Sequence, residues 1–416
     1  MSKQNENRQG YKNTKVGWIP KEWAVKVLGS FGSFSKGKGI SNSEKKEMGL
    51  SCITYGEIYT THDYVIKDFN SFIDIETAKK SQRIKRNDVL FAGSGETLDE
   101  IGKCVAYTKD VEAYAGGDIV IFSQNNVDCI YLSYSLNSDL ITKQKRKLGQ
   151  GYSVVHIYSS GLKKLYVPLP PLPEQKRIAE ILSVWDEAIE QVANLINAKI
   201  ALKKSLMQQL LTGKLRFKEF VKIKFNKIEL AEFLIPTPRP VPRPNSAYTA
   251  LGIRSHGKGT FLKAVENPEA VMMDTLYEVK EADLIVNITF AWEGAIAIVK
   301  KSDEGAFVSH RFPTYTFNRE IAIPEYFRHV IRTKRFIHEL GLVSPGGAGR
   351  NRVMSKTDFL NIVVSIPSVD EQKKIAVVLN GIDKEIELLG KKLEYLKTQK
   401  KGLMQKLLTG KIRVKV

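Results

Sequence analysis

Residues 174–217 read EQKRIAEILSVWDEAIEQVANLINAKIALKKSLMQQLLTGKLRF, and residues 371–414 read EQKKIAVVLNGIDKEIELLGKKLEYLKTQKKGLMQKLLTGKIRV. The second segment repeats the first without a gap at an offset of 197, and 20 of the 44 aligned positions are identical. Both copies close on Leu-Leu-Thr-Gly-Lys-x-Arg, at Leu210 to Arg216 and at Leu407 to Arg413. A duplicated helix ending each half of a chain predicts a molecule with approximate two-fold symmetry.

The repeat extends, more weakly, outside the helices. CITYGEI at 52–58 answers YTALGI at 248–253, NDVLF at 87–91 answers ADLIV at 282–286, and GQGYSVVHIYSSGLKKLYVPLP at 149–170 answers GGAGRNRVMSKTDFLNIVVSIP at 346–367. The chain therefore reads as module, long helix, module, long helix, with boundaries at 1–170, 171–217, 218–368 and 369–416. Short strands are expected at VIFS (120–123), ADLIVNITF (282–290) and AIAIV (295–299), so each module is mixed and the fold class is α+β.

Pro173 and Asp370 stand where a helix begins, and Gly213 and Gly410 where it ends, since glycine takes the left-handed C-cap without a Cβ clash. The span between is about 38 residues, roughly 57 Å of helix. Apolar residues recur at a four-three spacing, from Ile375 through Leu379, Ile382, Ile386, Leu389, Leu393 and Leu396, and from Ile178 through Leu182, Trp185, Ile189, Val192 and Ile196. That is a coiled-coil seam. Lys203 and Lys400 occupy equivalent seam positions and are expected to snorkel or to fix register. In each helix the acids come early and the lysines late, so a parallel pair would set like charges together. The helix dipole accounts for part of this distribution. Antiparallel packing within one chain pairs the opposite ends and is expected to place the modules at opposite ends of a rod, related by a pseudo-two-fold axis.

A net charge of +19 favours a polyanionic partner by counterion release. The most apolar stretch, Ala282 to Val299, carries Asp283, Asn287 and Glu293, so a membrane span is not expected. The polar start MSKQNENRQG lacks the apolar core of a signal peptide, which makes the cytoplasm the expected location. Cys52, Cys104 and Cys129 are scattered without ligand or disulfide spacing and are expected to be reduced and packed.

The phrase GYSVVHIYSSGLKKLYVPLPPLPEQKRIAEIL, the opening VGWIPKEWAVKVLG at 16–29 and the repeated LLTGK-x-R resemble the specificity (S) subunit of type I restriction-modification systems, over nearly the whole chain. The resemblance implies two target recognition domains alternating with two conserved helical regions. The antiparallel helices would set the gap between the halves of a bipartite site on double-stranded DNA. It implies docking of two modification (methyltransferase) subunits and of restriction/translocase subunits, with AdoMet, ATP and magnesium held by those partners and no cofactor in this chain. Because the two modules differ in sequence, the half-sites are expected to differ too.

Candidate DNA-contacting residues follow from glycine-rich segments bearing polar or basic side chains, since glycine lets backbone N–H groups approach phosphates and Arg or Asn offers bidentate contacts to base edges. They are Gly149, Gln150, Gly151, Tyr152, Ser153 and His156 in the first module, and Gly346, Gly347, Arg350, Asn351 and Arg352 in the second. RSHGKGTF adds Arg254, His256 and Lys258, and the SHR cluster adds His310 and Arg311. FAGSGET at 91–97 has the look of a methyltransferase cofactor loop, but no Asn/Asp-Pro-Pro-Tyr/Phe accompanies it. It reads as a turn that places Ser94, Glu96 and Thr97 near DNA.

Glu174-Gln175-Lys176 and Glu371-Gln372-Lys373 have a nuclease-like Glu-x-Lys look but fall in the first turn of the long helices, where acids are expected for the dipole alone. No P-loop is present. The chain is thus expected to be a non-catalytic reader of DNA sequence that recruits enzymes. The targeting subunit of a fused restriction-methylation enzyme, of the type IIB/IIG kind, is the alternative. A coiled-coil adaptor gives no reason for two divergent modules on matched helices.

Overall fold

The computed structural model describes residues 6, 8–151, 154–346 and 352–415. The chain divides into two compact units, residues 1–193 with 392–416 and residues 194–391. The long helices Leu172–Leu210 and Val369–Leu407 are each 39 residues, and each contributes one part to either unit.

In the first unit an antiparallel four-stranded sheet runs in the order Cys104–Ala106, Val89–Ala92, Ile119–Ser123, Ser33–Lys36. Successive side chains of a strand point to opposite faces, and here both faces are buried. Leu90, Ala92, Val105, Ile119 and Ile121 pack on one side with Ile53, Ile84 and Ala113. These last belong to a second, mixed sheet of Ser71–Ile73, Leu50–Ile53, Ala113–Ala115 and Gln82–Ile84, in which Ala113–Ala115 pairs parallel to Leu50–Ile53. Val89, Phe91, Cys104, Val120 and Phe122 face the other way, into a core shared with Tyr131, Tyr134, Ile178, Leu182, Met404 and Leu407.

The second unit follows the same plan. Leu234–Pro236, Thr314–Phe317, Leu284–Val286 and Ile296–Ile298 form the antiparallel sheet, in that order. Ile285 and Ala297 face a five-stranded sheet through Leu251, Ile253 and Val308, and one parallel pairing joins Tyr248–Ile253 to Phe307–Val308. Leu284, Val286 and Ile296 face Tyr326, Phe327, Phe336, Ile375 and Leu379 on the helical side. The expected strand at 120–123 lies within Ile119–Ser123, that at 295–299 is present as Ile296–Ile298, and that at 282–290 is cut down to Leu284–Val286, the chain turning after it. The three cysteines are buried free thiols.

Both long helices end on a left-handed glycine, Gly213 at φ 72° and Gly410 at φ 67°. Equivalent backbone bonds to the carbonyl six residues earlier close the two ends, Leu215 N–H to Gln209 O and Ile412 N–H to Lys406 O, each 3.2 Å.

Within each unit the helix segments run antiparallel. In the first, Arg413 pairs with Glu174 and Lys400 with Asp186; in the second, Arg216 pairs with Glu371 and Lys203 with Asp383. The equivalence at 197 residues is complete for both kinds of pair. Arg216 grips Glu371 through Nε at 2.7 Å and a terminal nitrogen at 2.6 Å, and Arg413 grips Glu174 at 2.7 and 2.9 Å. The carboxylates are nearly sealed, with side chains 1% and 2% exposed. Trp23 Nε1 adds a third donor to Glu174 at 3.1 Å. Glu174 and Glu371 are therefore more than dipole-matching acids: each is a buried anion whose desolvation demands a bidentate cation.

The neighbouring glutamines are equally constrained. Gln175 donates to Pro170 O and accepts from Asp128 N–H, while Gln372 donates to Pro367 O and Ile321 O and accepts from Ile323 N–H. Each ties the start of a long helix to the small helical layer of its own unit.

The seam lysines do not snorkel. Lys203 reaches Asp383 Oδ1 at 2.5 Å, and Lys400 reaches Asp186 while lying 3.9 Å from the Tyr64 ring centroid. Burial lowers the pKa of both lysines, against the pull of the aspartates. Beside Lys203, His329 is fully buried with Nε2 2.9 Å from Asn380 Oδ1, and its Nδ1 has no hydrogen-bond partner among the described residues. Desolvation, reinforced by the Lys203 charge, pushes the imidazole pKa down to about 3.

Replacing Arg216 with Met should cost about 3–5 kcal/mol, because an unpaired carboxylate remains buried; urea unfolding of the whole chain reads this, and adding Glu371→Gln should recover much of the loss. His329 gives an acid limb. An unfolded imidazole titrates near 6.5 and the folded one near 3, so the unfolded chain binds the extra proton between these values. Stability present above pH 6.5 should fall as pH drops toward 3, by up to about tenfold in the folding equilibrium per pH unit, and His329→Gln should flatten this limb in thermal melts.

Candidate nucleic-acid interface

In the first unit the strand Val89–Ala92 runs into Gly93, whose N–H bonds Asp118 O at 2.7 Å and whose carbonyl accepts from Ile157 N–H at 2.9 Å. A Cβ on Gly93 would strike the Asp118 carbonyl, and one on Gly95 would strike the Tyr59 hydroxyl, so both glycines serve close approach in a turn. Tyr59 Oη donates to Ser94 O at 3.0 Å. Ser94–Gly95 then pairs antiparallel with Val155–His156, and His156 exchanges both backbone bonds with Gln150. A Cβ on Gly149 would meet Leu98 and Val155, which places the glycine-rich segment beside the stretch carrying Glu96 and Thr97.

The structure thus gathers Ser94, Glu96, Thr97, Gly149, Gln150, Gly151 and His156 at one end of the first unit. Glu96, Thr97, Gln150 and Gly151 are exposed and His156 is half-buried. Ser94 is only 3% exposed; its hydroxyl faces inward, 3.0 Å from His156 Nδ1 and 3.2 Å from Asp118 Oδ2. Tyr152 and Ser153 lie outside the described residues. The hydroxyl stands between the carboxylate and the imidazole, so these three residues do not form the acid-base-nucleophile order of a hydrolase.

Under this cluster lies Lys145, 2% exposed, donating to Gly102 O at 2.7 Å and capped by Gly149 N–H on its own carbonyl. Desolvation brings its ammonium pKa down to about 8.

The second unit wires the corresponding turn in a similar way. After Leu284–Val286 the chain passes through Ile288 to the single-turn helix Ala291–Glu293. Ile288 N–H bonds Arg311 O at 3.0 Å and Ile288 O accepts from Met354 N–H at 2.8 Å. Glu293 holds the RSHGKG loop twice, through its backbone oxygen to His256 N–H at 2.7 Å and its carboxylate to Ser255 Oγ at 2.7 Å. Gly257 N–H bonds Gly294 O, and His256, Gly257, Gly259 and Gly294 all have positive φ. Arg352 lies over Trp292, 5.5 Å from the ring centroid.

Arg254, His256, Lys258 and Arg311 are exposed and Arg352 is half-buried around this turn. Arg254 is itself braced, donating to Thr260 O at 2.8 Å over the Phe261 ring. His310 is not part of the group; it lines a separate groove with Tyr277 and Lys356. Gly346 precedes, and Gly347, Arg350 and Asn351 fall within, the residues that are not described. Sequence reading missed Trp292, Glu293, Asp118 and Tyr158, whose ring stacks on His156, as members of these clusters. The one available signal was that NITFAWEG stands at the repeat position of FAGSGET.

The two clusters occupy corresponding turns but carry different chemistry. One offers amide, hydroxyl, carboxylate and imidazole groups; the other adds to the His256 imidazole a set of guanidinium and ammonium donors suited to phosphates and guanine edges. Among the described residues no three His, Cys, Asp or Glu side chains gather as metal ligands, and no helix is long and apolar enough to cross a membrane.

Comparison with solved structures bears on the fold. The fold is similar to that of the type I restriction-modification S subunit from M. genitalium, at a TM-score of 0.58 and 16% identity over 92% of this chain and 96% of that one. It is also similar, at a TM-score of 0.53 and 13% identity over 95% and 99%, to a chain solved in a study of complex assembly and conformational transition of the type I R-M system.

The model of the type I restriction modification DNA specificity domain matches residues 20–202 and 257–398, and the chain belongs to that family. Two relatives from Methanocaldococcus jannaschii, the type I restriction enzyme MjaVIII specificity subunit and the putative MjaX specificity subunit, are each 27% identical. The alignments cover 95% and 98% of this chain and 94% and 97% of theirs. It is a non-catalytic specificity subunit with two specificity domains, which sets aside the fused restriction-methylation alternative.

Lys145 generates a prediction for the first cluster. With a folded pKa of about 8 against 10.5 in the unfolded chain, the unfolded state holds the extra proton between those values. Stability should therefore rise from pH 8 toward 10.5, and Lys145→Met should raise the melting temperature at pH 7 and abolish that rise.

Proposed function

We propose that the chain reads a bipartite, asymmetric site on double-stranded DNA, one half with each unit, and recruits two modification subunits and, with them, restriction/translocase subunits. AdoMet, ATP and magnesium belong to those partners. The observation that carries this reading is the pair of clusters at corresponding turns of two like-folded units, built alike in backbone and unlike in side chains. Equal scaffolds with unequal readers suit a target whose halves differ.

Two copies of one partner are supported by a second repeat. The first unit has a groove of about 400 Å³ lined by Lys400, Met404 and Thr409, and the second one of about 660 Å³ lined by Lys203, Met207 and Thr212. These are the same positions of the duplicated helix, so the same partner surface meets similar helix chemistry at both. The basic net charge supports the DNA partner.

The test is to produce the chain together with its methyltransferase and to sequence the modified bases of the host DNA. Two separated, unlike half-sites are expected; a contiguous or palindromic site would overturn the reading. In binding assays log K should fall linearly with log[salt]. If Arg254 and Arg311 contact phosphates, replacing either with Ala should lessen that slope by about 0.9 and weaken all sequences alike.

A further inference from the structure

The first cluster contains a hydrogen-bond chain whose polarity can be worked out. Ser94 Oγ is 3.0 Å from His156 Nδ1 and 3.2 Å from Asp118 Oδ2. A hydroxyl has one proton to give, and a carboxylate only accepts. Were Ser94 to donate to His156, its lone pairs would face the Asp118 oxygen with no proton between them. Ser94 therefore donates to Asp118, and the proton between Ser94 and His156 belongs to Nδ1. In a neutral imidazole that leaves Nε2 as an acceptor.

The residue is also held through its backbone and one ring face. Its backbone is fixed by Gln150, through His156 N–H to Gln150 O at 2.7 Å and Gln150 N–H to His156 O at 2.9 Å. Its plane stacks on Tyr158 at 21°, with centroids 6.3 Å apart, and Tyr158 is 54% exposed. The imidazole itself is partly exposed, and Nε2 has no hydrogen bond to any described residue.

We infer that His156 is a specificity-determining residue that accepts, at Nε2, a hydrogen bond from the exocyclic amine of an adenine or cytosine in the half-site read by the first unit. Ser94 and Asp118 are positioning residues that hold it in the accepting tautomer. In the major groove only adenine N6 and cytosine N4 present N–H donors, whereas guanine O6 and N7 and thymine O4 would set acceptor against acceptor. Such a reader selects by repulsion as well as by contact. The arginines and lysine of the second unit have the opposite polarity, being donors only.

The inference rests on the reading of the chain as a DNA-binding subunit, and two measurements separate the two. The first needs no DNA. Long-range proton-nitrogen spectra of the full chain with labelled histidine, with the His156 signal assigned by its loss in His156→Gln, should show the Nδ1-protonated tautomer. Ser94→Ala should shift that signal toward the opposite tautomer. A wild-type ring protonated on Nε2 would overturn the inference and leave the DNA reading untouched.

The second uses the assembled complex with its methyltransferase and duplexes carrying the site found by sequencing modified bases. At one position of one half-site, replacing adenine by purine, or cytosine by its analogue lacking the amine, should weaken wild-type binding by roughly 5- to 30-fold. His156→Ala should bind both duplexes alike and keep the wild-type salt slope. Ser94→Ala should give an intermediate ratio. If His156→Ala keeps full discrimination at every position, the inference fails while sequence-specific binding stands. If the complex shows no sequence preference at all, the DNA reading fails and takes the inference with it.

Discussion

The first turn of each long helix holds a carboxylate almost closed to water, and the cation that neutralises it arrives from far along the chain: Arg413 for Glu174 across 239 residues and Arg216 for Glu371 across 155. Burying a lone carboxylate costs several kcal/mol, so the start of each helix is stable only when the end of the other lies beside it. The Leu-Leu-Thr-Gly-Lys-x-Arg signature gains its meaning here. Its leucines enter the core, its glycine turns the chain out of the helix, and its arginine closes on the glutamate.

The seam pairs act on alignment in the same way. Slipping the helices by one heptad would set Lys203 opposite Ala376 or Gly390 and Asp186 opposite Leu393 or Leu407, leaving charges without partners in a closed interface. An apolar seam tolerates such slips, and a buried ion pair at one layer does not. The pairs select one alignment more than they add to stability. They also tie that alignment to the short helices Cys129–Leu136 and Pro324–Val330, since Tyr134 donates to the same Asp186 that holds Lys400, and His329 bonds Asn380 one turn from Asp383.

The clusters at the strand-end turns obey a different rule. Their frame is made of backbone bonds, from Gly93 to Asp118 and Ile157, and from Ile288 to Arg311 and Met354. Backbone bonds do not depend on side-chain identity, so the frame persists in both units while the exposed residues diverge. Much of this was readable beforehand only as composition. Arg254, His256 and Lys258 announce a basic glycine-rich loop, but their grouping with Arg352 depends on Trp292 and Glu293, which look like ordinary strand-loop residues. Ser94 reads as a contact residue, and its hydroxyl is buried against Asp118 and His156.

The sequence by itself determined the duplication, the length of the two helices and their glycine C-caps, their antiparallel sense and the positions of the main strands, whereas Asp370, which reads as an N-cap, lies inside the first turn of a helix that begins at Val369. All of these are local or periodic signals: a 197-residue repeat, a four-three spacing, a terminal glycine, acids before lysines. Only the tertiary structure decided which charge meets which. Glu174 carries no mark that distinguishes a dipole-matching acid from a buried anion, and Lys203 and Lys400 carry none that separates a snorkelling side chain from a paired one. Those distinctions depend on what lies within a few ångströms after folding, and contacts spanning 155 to 239 residues leave no periodic trace in the chain.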